Sequence, residues 1–274
     1  MEHLFDRWEG FKKGLSNGFV FLCCDYDGTL TPIVETPDKA RMPEETKTIL
    51  QELMNTAQCG IALVSGRSLS DLKRMVGLRD VIYAGNHGLE IEGPKIRFES
   101  LVPPESKSII RNVAEKIAHR LSTIKGVIIE DKGLTISAHY RLVDTKDIQE
   151  FLSAFNEITE PYATRHQIVI TSGKKVFEVR PPVVWDKGKV VVWLLARQQF
   201  MTGDRSVFPV YLGDDVTDED AFKALRNKGL TIFVGEPGNS HARYYLKNTD
   251  EVVSFLRRLL EIKKECKVCQ GQGL

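Results

Sequence analysis

Two segments, GIALVSGRSLSDLKRMV (60–76) and FPVYLGDDVTDEDAFKAL (208–225), share one plan: an apolar run, a short turn bearing Gly, Ser or Asp, and an amphipathic helix. Apolar runs without polar alternation read as strands buried on both faces, and such strands alternating with helices build a parallel sheet covered on each side. FVFLCC (19–24) is a further run of this kind, and it leads straight into Asp25 and Asp27 of DYDGTL. Ser68 and Asp71 have the spacing of a capping box, and Thr217 is the expected N-cap of the last helix, with acidic residues in its first turn where the helix dipole favours them. The expected fold class is therefore α/β, a doubly wound parallel sheet.

The pattern changes between about residues 99 and 185. A helical stretch over 106–121 precedes strand-like GVIIEDKGLTISAHYR (126–141), and a second helix over 145–158 precedes strand-like HQIVITSGKKVFEVRP (166–181). Helix, hairpin, helix, hairpin describes a small α+β unit on an antiparallel sheet. RPPVVWDKG (180–188) serves as the return linker, since consecutive prolines continue neither a strand ladder nor a helix. The expected division is a core of residues 1–98 and 186–265, an inserted cap over 99–185, and a tail over 266–274.

Composition narrows the possible partners. With 38 Lys and Arg against 37 Asp and Glu the net charge is +1, which offers no field for nucleic acid or an anionic membrane. Apolar runs such as Phe19 to Cys24 and Val190 to Ala196 fall far short of the ~20 residues that span a bilayer. The N-terminus MEHLFDRWEG lacks the apolar core of a signal peptide, so a cytoplasmic protein is the expectation, and a monomer is expected alongside it. Five cysteines, two adjacent within a buried strand, suggest reduced thiols. Cys266 and Cys269 have CxxC spacing but no second pair, so a solvated tail is expected there rather than a zinc site.

Ligands of doubly wound sheets bind beyond the carboxyl ends of the strands. Asp25, Asp27, Ser65, Asp214 and Asp215 each follow such a strand end. Two carboxylates ~4 Å apart repel by about 4 kcal/mol at an effective dielectric near 20, so a convergent set needs a cation, and Mg²⁺ suits oxygen ligands shared with a phosphate. A carboxylate can also attack phosphorus while a second one carries the proton for the leaving alcohol. Alternation along an extended chain points Asp25 and Asp27 the same way, and Thr29 and Ser65 have hydroxyls for phosphoryl oxygens. Lys187 opens a helix at the end where the dipole disfavours a cation, which an anionic partner would explain. Each motif has a plainer reading as a turn or a solvated charge; their joint occurrence at strand ends favours chemistry. The EF-hand is excluded because counting from Asp25 puts Leu30 and Thr36 where Gly and Glu are required, and no P-loop motif is present.

DYDGTLTPI (25–33), SGR (65–67), GNHG (85–88), WDKGK (185–189) and GDDVTDEDAF (213–222) together resemble the haloacid dehalogenase superfamily, and within it the trehalose-6-phosphate phosphatases. The resemblance implies Asp25 as nucleophile, Asp27 as general acid/base, and Ser65 and Lys187 on the phosphoryl group. It implies Mg²⁺ held by Asp25, the carbonyl of Asp27, and Asp214, with Asp215 and Asp218 in support. It also places Arg67, Asn86 and His87 near the substrate, with Glu130, Lys132, Arg141 and Glu178 reaching from the cap. The substrate would be trehalose 6-phosphate. A phosphatase for another sugar phosphate, a phosphomutase, and a non-catalytic sugar-phosphate sensor are the alternatives.

Overall fold

The computed structural model describes residues 1–56, 58–99, 102–203 and 206–271. In chain order the elements are β1 (Glu2–His3), α1 (Trp8–Ser16), β2 (Phe19–Cys24), α2 (Glu44–Met54), β3 (Cys59–Val64), α3 (Leu69–Val76), β4 (Ile82–Gly85), β5 (Glu90–Gly93) and β6 (Ile96–Glu99). Then follow α4 (Pro104–Leu121), β7 (Ile128–Asp131), β8 (Ile136–His139), α5 (Ile148–Thr164), β9 (Val169–Gly173) and β10 (Val176–Arg180). The chain ends with α6 (Lys187–Thr202), β11 (Val207–Gly213), α7 (Glu219–Leu225), β12 (Leu230–Val234), β13 (Tyr244–Leu246) and α8 (Thr249–Gly271).

Nine strands form one sheet in the order β1-β13-β12-β11-β2-β3-β4-β5-β6. Neighbours from β1 through β4 run parallel, and β4 pairs antiparallel with β5. The expected doubly wound α/β fold holds. Val20, Leu22 and Cys24 of β2 pack with Leu50, Leu72, Phe255 and Leu259, whereas Phe21 and Cys23 pack with Val190, Leu194, Phe222 and Leu225. Helices α2, α3 and α8 thus cover one face of the sheet and α6 and α7 the other. Full burial of each such side chain contributes about 1.5–3 kcal/mol, which is why a strand apolar on both faces becomes central. Cys23, Cys24 and Cys59 are free and buried, and burial pushes the Cys59 thiol up to about 12.

The chain divides into two compact units, one built from Met1–Phe98 and the chain from Trp185 onward, the other from Glu99–Val184. Trp185 groups with the first unit because its indole N–H donates to the Gly88 carbonyl at 2.7 Å and its ring lies 5.8 Å from that of Phe98. The second unit has an antiparallel sheet, β7-β8-β10-β9. Its core joins Ile110, Val113 and Ile117 of α4, Phe151 and Phe155 of α5, and Ala138 and Val179 of the strands. The tail expected from residue 266 is a correction: α8 continues to Gly271, with no Pro or Gly before that point to stop it. The side chains of Cys266 and Cys269 lie outside the described residues. Among the described residues, no helix is long and apolar enough to cross a membrane.

Candidate active site

In-register pairing fixes where the strand-end residues emerge. Cys24 stands opposite Leu212 of β11 and Leu63 of β3, and Val64 stands opposite Ala84 of β4. Asp25, Ser65, Asn86 and Asp214 therefore leave the sheet along one edge. Asp25 extends the ladder by one bond, its N–H donating to the Leu212 carbonyl at 2.9 Å, before the chain turns through Gly28 at φ +81°. A Cβ on Gly28 would lie 2.3 Å from Oδ2 of Asp214, so this turn needs glycine for its backbone conformation and for the approach of that carboxylate. Thr29, fully buried, donates its hydroxyl to Oδ1 of Asp214 at 3.4 Å.

Lys187, 2% exposed at the start of α6, places Nζ 3.1 Å from Oδ2 of Asp25 and 2.8 Å from Oδ1 of Asp218. Burial alone would lower its pKa, but Asp218 and Asp25 outweigh that and raise it, so it stays charged. Asp218 is saturated. Oδ1 accepts from Lys187 and, at 2.6 Å, from the Tyr211 hydroxyl; Oδ2 accepts from the backbone N–H groups of Asp214 at 3.1 Å and Asp215 at 3.0 Å. A carboxylate has about four acceptor positions, so Asp218 has spent them all on organising its neighbours.

One oxygen from each of Asp25, Asp214 and Asp218 lies within 4.8 Å of the others, the grouping that could hold a metal ion among the described residues. Asp218, with its acceptor positions used, could join a cation there only by giving up one of its bonds. Burial drives the Asp25 carboxyl well above the usual carboxylate range; Lys187 pulls it down, and Asp218, Asp214 and Asp27 push it up again. A buried carboxylate so placed fits a divalent cation, whose charge favours its ionised form. The side chains of Asp27 and Asp215 do not join this group. Asp215 caps the 3₁₀ turn Val216–Asp218 in a reciprocal capping box with Asp218, which corrects the N-cap expected at Thr217.

The SGR and GNHG turns are tied together by backbone bonds. Ser65 N–H donates to Ala84 O, Asn86 N–H to Arg67 O and His87 N–H to Ser65 O, at 2.9, 2.6 and 2.9 Å. Ser65 Oγ accepts from the Arg67 N–H at 3.2 Å. Asn86 and His87 are buried with positive φ, and the Asn86 amide donates to Glu90 at 2.7 Å. Arg67, expected near the substrate, grips Asp27: Nε and Nη2 each reach one of its carboxylate oxygens at 2.7 Å. Ser68 caps α3 by accepting from Asp71 N–H, but the Asp71 carboxylate turns to Arg67 and Arg74 rather than back to Ser68, so half of the expected box forms.

In the second unit, Glu130, Ser137, Glu178 and Thr171 stand opposite one another across all four strands, on the sheet face away from Ala138 and Phe177. Glu130 meets His139 at 2.6 Å, Lys132 meets Glu178 at 3.4 Å, and Arg141 donates to the Lys174 carbonyl at 3.0 Å. Two acids of this sheet are thus each paired with a basic side chain, Glu130 with His139 and Glu178 with Lys132.

The sequence profile described as Trehalose-phosphatase matches residues 23–253. This chain belongs to the trehalose-phosphatase family. It is 38% identical to a protein of Oryza sativa subsp. japonica described as probable trehalose-phosphate phosphatase 4, covering 90% of this chain and 67% of that one. It is 35% identical to probable trehalose-phosphate phosphatase I of Arabidopsis thaliana, over 96% of this chain and 74% of that one. The solved C-terminal domain of C. albicans trehalose-6-phosphate phosphatase superposes with a TM-score of 0.79 at 25% identity, covering 92% of this chain and 97% of that one.

Two residues bonded to candidate side chains, one in each unit, were not singled out from sequence. Tyr211, whose hydroxyl is held in the core by Asp218, shows only as one phenol in an apolar strand; burial, then Asp218 and Asp25, raise its pKa well above the ordinary value. His139 lies in SAH of β8, where a polar residue in a half-buried strand is unremarkable.

Proposed function

We propose that this chain is an Mg²⁺-dependent phosphohydrolase that converts trehalose 6-phosphate to trehalose and phosphate. The observation that carries the reading is Lys187 Nζ within 3.1 Å of Asp25, beside Asp214, in a chain of this family. An Asp25 oxygen attacks phosphorus, the bond from phosphorus to the sugar oxygen breaks, and Asp27 gives that oxygen a proton. Asp27 then takes a proton from water as the water oxygen attacks the aspartyl-phosphate, freeing phosphate and Asp25. Lys187 lies against the nucleophile throughout and offsets the charge of the transferring group, with Ser65 and Thr29 as hydroxyl donors. Mg²⁺, held by Asp25, the Asp27 carbonyl and Asp214, would supply charge neutralisation of the phosphoryl oxygens.

Sugar hydroxyls both donate and accept, so Glu130, Lys132, Arg141 and Glu178 are suited to read them, with Asn86 and His87 as further polar groups. We further propose a cytosolic monomer; the free, buried thiols among the described residues suit a reducing compartment. Phosphate release is to be measured on trehalose 6-phosphate, glucose 6-phosphate and sucrose 6-phosphate, with and without EDTA, for the wild type and Asp25→Asn. The expected result is metal-dependent release from trehalose 6-phosphate, lost in Asp25→Asn. Preference for another sugar phosphate would move the substrate; full activity in Asp25→Asn or after chelation would end the mechanism.

A further inference from the structure

Arg67 is 7% exposed, and four of its five N–H groups are already committed. Nε donates to Asp27 Oδ2 at 2.7 Å; Nη2 donates to Asp27 Oδ1 at 2.7 Å and to the Pro37 carbonyl at 2.8 Å; Nη1 donates to Asp71 Oδ2 at 2.9 Å. The Tyr26 ring lies 5.5 Å from the guanidinium carbon. Asp71 is itself fixed, its N–H on the Ser68 hydroxyl and its other oxygen on Arg74. Asp27, by contrast, has a side chain 41% exposed on an irregular loop, and among the described residues no other side chain bonds its carboxylate.

We propose that Arg67 is a positioning residue that sets the direction in which Asp27 presents its carboxyl group, with α3 setting Arg67 in turn through Asp71. This rests on the reading of Asp27 as the proton carrier. A planar fork bonded to both oxygens fixes the plane of the carboxyl group as well as its place, which a lysine's single point charge does not. A guanidinium saturated in this way has little left for a phosphate or a sugar, so its effect on the reaction runs through Asp27. Misplacement of a proton donor slows the step in which a poor leaving group departs and spares the step in which a good one does.

The test is steady-state turnover and the pre-steady-state burst of leaving-group release on trehalose 6-phosphate and on p-nitrophenyl phosphate, with Arg67→Lys, Asp71→Asn and, as benchmark, Asp27→Asn. A sugar alkoxide needs the proton; p-nitrophenolate does not. Arg67→Lys is expected to slow trehalose 6-phosphate turnover about 10- to 100-fold with KM changed less than about threefold, and to slow the p-nitrophenolate burst less than about threefold. Asp71→Asn should show the same pattern more weakly. Arg67→Lys combined with Asp27→Asn should be no slower than Asp27→Asn alone. Equal losses on both substrates would reduce Arg67 to a structural role, and a raised KM at unchanged kcat would return it to the substrate; either overturns the proposal. Asp71→Asn, which leaves Arg67 and Asp27 paired, keeps the test open if Arg67→Lys fails to fold. Should Asp27→Asn itself lack the leaving-group dependence, the reading of Asp27 fails first and is identified as the failure.

Discussion

Replacing Gly28 with Ala perturbs the candidate metal site through one methyl group. The new Cβ would stand 2.3, 2.4 and 2.6 Å from Oδ2, Cγ and Oδ1 of Asp214, where ordinary contact begins near 3.4 Å. The loop or the carboxylate must yield by about an ångström, a displacement that costs on the order of 100-fold in rate when it falls on a catalytic group. The substitution also strains the backbone, since φ is +81° and an L-residue in the left-handed region costs about 1–2 kcal/mol. Gly77 separates the two effects: it caps α3 at φ +62°, and its added Cβ meets only the flexible end of Lys47 at 3.4 Å. Both Ala variants are expected to lower Tm by a few degrees, at about 2–4 °C per kcal/mol. Gly28→Ala alone should lose activity, about 100-fold, and show weaker Mg²⁺ binding by isothermal titration calorimetry. Equal activity and equal Mg²⁺ affinity in the two variants would refute the reasoning, because the contact with Asp214 would then have no consequence beyond strain.

Three further outcomes follow from the buried charges. Tyr211→Phe removes the 2.6 Å bond to Asp218 and should cost about 1–3 kcal/mol in urea unfolding; no change in midpoint would mean that the hydroxyl is not held as described. Lys187→Gln leaves Asp25 and Asp218 without their shared cation and should destabilise the chelated protein by about 3–5 kcal/mol, with part of the loss restored by a divalent cation. An equal loss with and without metal would count against charge as the cause. The Asp25 carboxyl, lifted by burial above its ordinary value of 3.8, contributes stability below that pH which is lost as pH rises through its native value. In EDTA, Asp25→Asn should therefore gain in Tm relative to wild type as pH rises from about 4 toward 8, and a flat difference would contradict the shift.

What the sequence reveals here depends on how local the cause is. The central strands and their acidic ends can be read because burial on both faces leaves a continuous apolar run, and the turn after it must be polar. Strand β1 is two residues long and pairs with Tyr244 and Tyr245 far along the chain, and β5 and β6 have only four residues each, so none of them carries a periodic signal. The side-chain partnerships are harder still. Arg67 and Asp27 are 40 residues apart, and nothing in SGR distinguishes an arginine aimed at substrate from one aimed at a neighbouring carboxylate.

The run GDDVTDED shows why residue type does not assign work. Asp214 faces the Thr29 hydroxyl and the glycine turn, Asp215 caps a turn, Asp218 accepts four bonds in the core, and Glu219 holds His241. Their local sequence contexts are nearly alike. That Asp218 accepts four donors is decided by where Lys187 and Tyr211 arrive from other elements, and a carboxylate so occupied cannot also serve a metal without breaking one of those bonds. The division between Asp214 and Asp218 is therefore a property of the packed sheet and its helices, and a local motif can carry it only as a list of candidates.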